Sequence, residues 1–109
     1  MYVADLTDKY PQYTRRVKLY SYGQPKSGNE VFADYMDGLD AELIRVVNKG
    51  DTAPHLPRND DIYKAFGTEV WINYSNRTVV CRAPDYSACS DSVSRGMQNV
   101  PDHSLYPGL

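Results

Sequence analysis

A basic excess, long apolar runs and metal-ligand spacings are all missing from this sequence, and each absence removes a class of function. Lys and Arg total 12 against 14 Asp and Glu, for a net charge of −2. That balance gives no electrostatic footprint for nucleic acid, whose binding domains are distinctly basic. No stretch approaches the roughly 20 consecutive apolar residues of a membrane-spanning helix, and Met1 is followed by no apolar run of the kind a secretory leader carries. Histidine occurs only at His55 and His103 and cysteine only at Cys81 and Cys89. Their spacings match no zinc site, so neither metal nor cofactor is expected. Phe and Trp are scarce, at 2 and 1, beside 10 Tyr. Tyrosine combines apolar bulk with a polar tip, which suits half-wet surfaces. The remaining composition, 41% hydrophobic and 24% charged over 109 residues, is that of one small globular domain.

Two features have a secretory character. Cys81 and Cys89 stand eight residues apart, close enough to bridge a short loop, although two reduced thiols in a cytosolic protein fit the same count. Asn73-Tyr-Ser75 and Asn76-Arg-Thr78 are consecutive glycosylation sequons. With no leader in the sequence, these features imply a natural N-terminus upstream. The opening points the same way. Tyr2, Val3, Leu6 and Tyr10 share a helical face that Pro11 ends, yet no capping Ser, Thr, Asp or Asn precedes it.

The periodicities beyond Pro11 predict a βαβ unit. Val17–Tyr22 is β-prone, and Ser27 with Glu30 forms a capping box for a helix whose face is Val31, Phe32, Tyr35, Met36 and Leu39. Gly38 marks its end. Leu43–Val47 reads as a strand buried on both faces, and strand, helix, strand in so short a span implies parallel pairing. Glu69–Tyr74 and Thr78–Cys81 then form an antiparallel hairpin about Ser75-Asn76-Arg77, and a loop without periodicity closes the chain. The fold class is therefore α/β.

In open parallel sheets functional groups stand just past the carboxyl ends of strands, which draws attention to Asp51 in the loop after Val47. By position alone, Asp51 reads first as a solvent-facing turn aspartate, the far commoner kind in such loops. A histidine near a carboxylate can act as general base while the carboxylate fixes its tautomer. His55 lies between Pro54 and Pro57; His103 lies in the C-terminal loop, free to fold back over the sheet. The residues alone leave both open.

Four blocks, in order along nearly the whole chain, resemble the class 3 lipases, a family of α/β-hydrolases that includes feruloyl esterase relatives. They are Tyr20-Ser-Tyr-Gly-Gln-Pro-Lys-Ser-Gly-Asn29 with Phe32-Ala33, Arg45-Val-Val-Asn-Lys-Gly-Asp-Thr-Ala-Pro-His-Leu-Pro57, Gly67-Thr-Glu-Val-Trp-Ile72 and Asp102-His-Ser-Leu-Tyr-Pro-Gly108. The resemblance implies the C-terminal part of an α/β-hydrolase domain across residues 1–109, with Asp51 as triad acid, His103 as triad base and His55 in a structural role. It places Cys81 and Cys89 where some secreted members carry a bridge. Two departures stand out. Ala65 occupies a place where the family often has histidine, and no Gly-x-Ser-x-Gly elbow occurs anywhere in the sequence. In the family that elbow precedes the helix matched by the opening residues.

The expectation is thus the acid–base half of a secreted, lipase-like carboxylic ester hydrolase, acting on lipid or other esters but poorly active alone. The rival expectation is a non-catalytic truncated hydrolase that binds a lipid, a polysaccharide or a partner. An apolar sheet edge exposed by either would promote non-specific self-association.

Overall fold

A computed structural model describes residues 18–39, 41–58 and 62–107, so the helix expected over the opening residues lies outside the described residues. Strand β1 (Lys18–Tyr22) leads to helix α1 (Glu30–Asp37), strand β2 (Glu42–Asn48), and the hairpin of β3 (Thr68–Ile72) and β4 (Thr78–Arg82). The four strands lie side by side in sequence order. β1 and β3 both run parallel to β2, in registers that set Tyr20 beside Ile44 and Val46 beside Val70. β4 returns antiparallel to β3, with Val70 opposite Val80. Short 3-10 turns at Ala53–His55, Ser90–Ser92, Arg95–Met97 and Pro101–Ser104 shape the connections. Among the described residues no helix is long and apolar enough to cross a membrane.

The βαβ expectation holds, with two local differences. The helix begins after Asn29, whose side chain accepts the Phe32 N–H at 2.9 Å, and not after Ser27. Gly28 is held extended by pairing with Lys64, whose N–H donates to the Gly28 carbonyl at 2.9 Å, so helical geometry cannot start earlier. The buried face also differs from the expected one. Ala33 and Met36 are covered, with Phe32 and Leu39 beside them, whereas Val31 is 75% exposed and Tyr35 also lies open. The small Ala33 thus lies in the core with Leu43 and Phe66, and a larger residue there would hold the helix off. Full burial of a side chain such as Met36 contributes about 1.5–3 kcal/mol.

A second cluster gathers Val47, Trp71, Cys81, Tyr86 and Cys89, and the expected disulfide Cys81–Cys89 closes within it. Between the clusters Arg45 and Glu69 are buried as a pair at 3.5 Å. Their burial is tolerated because both are further bonded: Arg45 donates to the Phe66 carbonyl at 2.6 Å and lies over the Tyr86 ring, and Glu69 accepts the Ser90 N–H at 2.8 Å. The hairpin turn is longer than the sequence suggests and takes in Asn73 and Tyr74. The Asn73 side-chain oxygen accepts from the N–H groups of Ser75 and Arg77, at 2.9 and 3.1 Å, and these bonds end the β3 ladder.

Candidate active site

β2 delivers Asp51 to the carboxyl end of the sheet through a tight turn. Lys49 adopts the left-handed region (φ 46°), its N–H donating to the Ile72 carbonyl at 2.7 Å and its carbonyl accepting the Trp71 indole N–H at 2.9 Å. Gly50 follows where a Cβ would come within 2.7 Å of the Met97 carbonyl and the Tyr74 hydroxyl. The Asp51 side chain that emerges is completely buried, so it is not the solvent-facing turn aspartate that its position alone would suggest.

A buried carboxylate requires partners for both oxygens. Oδ1 accepts the Ala53 N–H at 2.9 Å, an Asx-type bond to the start of the next turn. Oδ2 accepts the Tyr106 hydroxyl at 2.5 Å, and His103 Nδ1 lies 2.9 Å from the same oxygen and 3.2 Å from Oδ1. With Asp51 ionised, Nδ1 is the protonated nitrogen and Nε2 is left to accept a proton. The imidazole is 47% exposed although its carboxylate partner is sealed. This is the geometry of an oriented general base, with an inner face fixed by a carboxylate and an outer face open to a reactant.

His103 reaches this position because the turn Pro101–Ser104 is tied to the end of β2. Asp102 Oδ2 accepts the Gly50 N–H and the Asn99 amide, each at 2.9 Å, and the Asp102 N–H donates to Asn99 Oδ1 at 2.9 Å. The Asn48 amide donates to the carbonyls of Asp102 at 3.1 Å and Leu105 at 3.4 Å. Tyr106 completes the attachment, its hydroxyl accepting the Asn48 N–H at 3.0 Å while donating to Asp51. Burial, and then the bond to Asp51, push the Tyr106 phenol well above its ordinary range, so it stays a donor at any neutral pH. β1 reaches the pair through Gly23 (φ +64°), where a Cβ would stand 2.7 Å from both Asp51 Oδ2 and His103 Nδ1. Glycine is required twice over, by backbone conformation and by space.

Asp51 and His103, singled out from the sequence, are therefore brought together across 52 residues of chain. His55 is not part of this group. Its Nδ1 lies 3.4 Å from Asp91, and its side chain is largely buried. A cleft of about 640 Å³ between α1 and the segments around His55, Tyr86 and Arg95 includes neither Asp51 nor His103. Its lining includes the Arg45–Glu69 pair, whose charges are already satisfied within the fold. Sequence reasoning gave no role to Tyr106, Gly23, Asn48, Asn99 and Asp102. All but Asn99 stand inside the family-like blocks, which was the signal available.

The family model for class 3 lipase matches residues 1–61. Among curated proteins, the lipase of Rhizomucor miehei is 35% identical over 94 residues, which is 84% of this chain and 26% of that protein. A secreted mono- and diacylglycerol lipase of Malassezia globosa is 38% identical over 56 residues, 50% of this chain and 18% of that protein. The solved structure of Rhizomucor miehei triacylglyceride lipase aligns with a TM-score of 0.86 and 34% identity, covering 97% of this chain and 41% of that one. Another, of a triacylglycerol lipase whose catalytic centre is described as a serine protease triad, aligns with a TM-score of 0.85 and 34% identity over 97% of this chain and 41% of that one. The chain thus spans about a quarter of the length of the Rhizomucor lipase it matches in sequence. Its parallel strands, crossover helix and closing hairpin are those of part of an α/β-hydrolase, and the chain belongs to the class 3 lipase family.

Proposed function

We propose that this chain is the acid–base half of a serine carboxylic ester hydrolase acting on acylglycerols. What carries the reading is the contact of 2.9 Å between His103 Nδ1 and a fully buried Asp51 at the carboxyl end of a parallel strand. In the working enzyme a serine hydroxyl attacks the ester carbonyl while His103 Nε2 takes its proton. The tetrahedral intermediate then releases the alcohol, which receives that proton, and water, activated by the same nitrogen, frees the acid. Asp51 holds the imidazole in the right tautomer and stabilises the imidazolium.

What supports a missing nucleophile is the sequence itself and the open face of the histidine. His103 has no serine hydroxyl partner among the described residues, and no Gly-x-Ser-x-Gly occurs in the sequence. We therefore read this chain as a partial lipase domain without its nucleophile elbow, and the chain alone as inactive, because nucleophile and oxyanion hole supply the largest contributions to acyl transfer. The extracellular setting is carried over from the secreted relatives, with the disulfide in support. The alternative of a non-catalytic lipid-, polysaccharide- or partner-binding module has no particular contact in its favour.

The test is a chimera in which this chain replaces the matching segment of Rhizomucor miehei lipase. The chimera should hydrolyse acylglycerols, and His103→Ala or Asp51→Asn should cost on the order of 10⁴-fold in kcat. A folded chimera without activity would overturn the reading. So would labelling of the unfused chain by a serine-reactive phosphonate, which would place a working nucleophile inside it.

A further inference from the structure

The two sequons take no part in the ester-hydrolase reading, and the fold treats them differently. Both lie in the turn between β3 and β4. Asn73 organises that turn: its side-chain oxygen accepts from Ser75 and Arg77, its N–H donates to the Arg77 carbonyl at 2.9 Å, and its carbonyl accepts the Asn76 N–H at 2.9 Å. It is also half-buried. Asn76 is exposed at the tip, in the left-handed conformation (φ 59°) that asparagine tolerates, and its carboxamide holds none of the turn's hydrogen bonds. Thr78, which completes its sequon, is exposed at the start of β4.

We propose that Asn76 is the N-glycan acceptor of this chain and that Asn73 is not. The donor is a lipid-pyrophosphate-linked oligosaccharide. A bond forms between Asn76 Nδ2 and the sugar's anomeric carbon, the bond from that carbon to phosphate breaks, the pyrophosphate leaves with the electron pair, and the carboxamide gives up one proton. Modification accompanies synthesis, but the turn is local. Hairpins close in about 1–10 μs, whereas synthesis adds only about 5–20 residues per second. The turn therefore samples its closed form, with Asn73 engaged, while the transferase still has access. A glycan on Asn76 then crowds any transfer three residues away.

The site has a consequence for the surface. The Tyr74 hydroxyl lies against Gly50, so the turn stands on the same end of the sheet as Asp51 and His103. The glycan would flank that rim. It would also stand at the start of β4, whose outer side pairs with no other strand among the described residues, and a bulky hydrophilic group there opposes edge-to-edge pairing.

The inference rests on the secretory part of the proposed function, so the test supplies that route itself. The chain is expressed in yeast behind a cleavable secretory leader, and microsomal as well as secreted material is treated with peptide N-glycosidase, which leaves aspartate at each asparagine that bore a glycan. Mass mapping should find aspartate at residue 76 alone. Thr78→Ala and Asn76→Gln should abolish the enzyme-sensitive mobility shift. Ser75→Ala, which removes the other sequon while leaving the Asn73 carboxamide in place, should retain it. A glycan on Asn73, glycans on both residues, or microsomal chain without any would overturn the assignment.

Discussion

Replacing Tyr106 by phenylalanine removes one oxygen and leaves the ring to fill the same buried space. That oxygen serves two buried groups. It donates to the Asp51 carboxylate at 2.5 Å and accepts the N–H of Asn48, a residue only 2% exposed. A hydrogen bond to a charged group contributes about 1.5–3 kcal/mol, and a buried N–H left without a partner costs about 1–3 kcal/mol. The two losses share an atom and will not add fully, so the expected destabilisation is about 2–4 kcal/mol. For a domain of this size that lowers Tm by about 10–25 °C. The assay is urea unfolding followed by fluorescence of Trp71, the single tryptophan, which is 8% exposed in the neighbouring cluster. The midpoint should fall with an unchanged m-value. A cycle with Asp51→Asn then isolates the hydroxyl–carboxylate coupling. A loss under about 0.5 kcal/mol would refute the reasoning, because it would mean that water replaces the hydroxyl at both partners.

Alkaline pH tests the same residue from the other side. Burial raises the Tyr106 and Tyr86 phenols above their ordinary value, with the bond to Asp51 adding to the first, so the folded state keeps protons that the unfolded chain releases near pH 10. Their stabilisation is whole below about pH 10 and declines above it by up to about 1.4 kcal/mol per pH unit for each proton, and Tyr106→Phe should flatten that slope by one proton. Gly23→Ala puts a Cβ 2.7 Å from both Asp51 Oδ2 and His103 Nδ1 at positive φ, so the downfield NMR signal of the Asp51-bonded His103 Nδ1–H should vanish; its persistence would show that the pair yields without cost. Replacing Cys81 and Cys89 by alanine reopens a loop of sequence separation 8, for which the chain-entropy relation gives a loss of about 2.5 kcal/mol, read by the same urea titration. β2 and β3 are each paired on both sides, so edge-to-edge self-association would use β1 or β4; sedimentation velocity should show concentration-dependent oligomers, and a monodisperse monomer with a sharp thermal transition would sink that expectation.

The elements legible in the sequence were those whose local pattern agrees with their environment. β2 reads as a buried strand because its apolar run is paired on both sides, and the parallel crossover follows from the short strand–helix–strand spacing. The helix start was misplaced because Ser27 and Glu30 satisfy a local capping rule that the pairing of Gly28 with Lys64 overrides, a contact across 36 residues that no local window contains. The turn boundary slipped for a related reason. Asn73 continues a β-prone run, yet its side chain intercepts the N–H groups that would otherwise extend the ladder.

At the site, the proposed acid and base were legible as candidates and the residues that hold them together were not, and the difference is physical. An acid or base must be a particular residue type, so Asp51 and His103 stand out in a chain with only two histidines. The residues that place them act through backbone-directed bonds that many types could make: Asn48 to two carbonyls, Asp102 to the Gly50 N–H, Asn99 to Asp102. Gly23 acts through what it lacks, a Cβ. In each case the signal depends on the distance to a partner remote in sequence. The same distinction orders the consequences of mutation. Under the proposed function, a change at Asp51 or His103 should remove the chimera's hydrolysis. A change at Asn48, Asp102 or Tyr106 should loosen the turn that carries His103, so it registers first as lost stability and only then as lost alignment at Asp51.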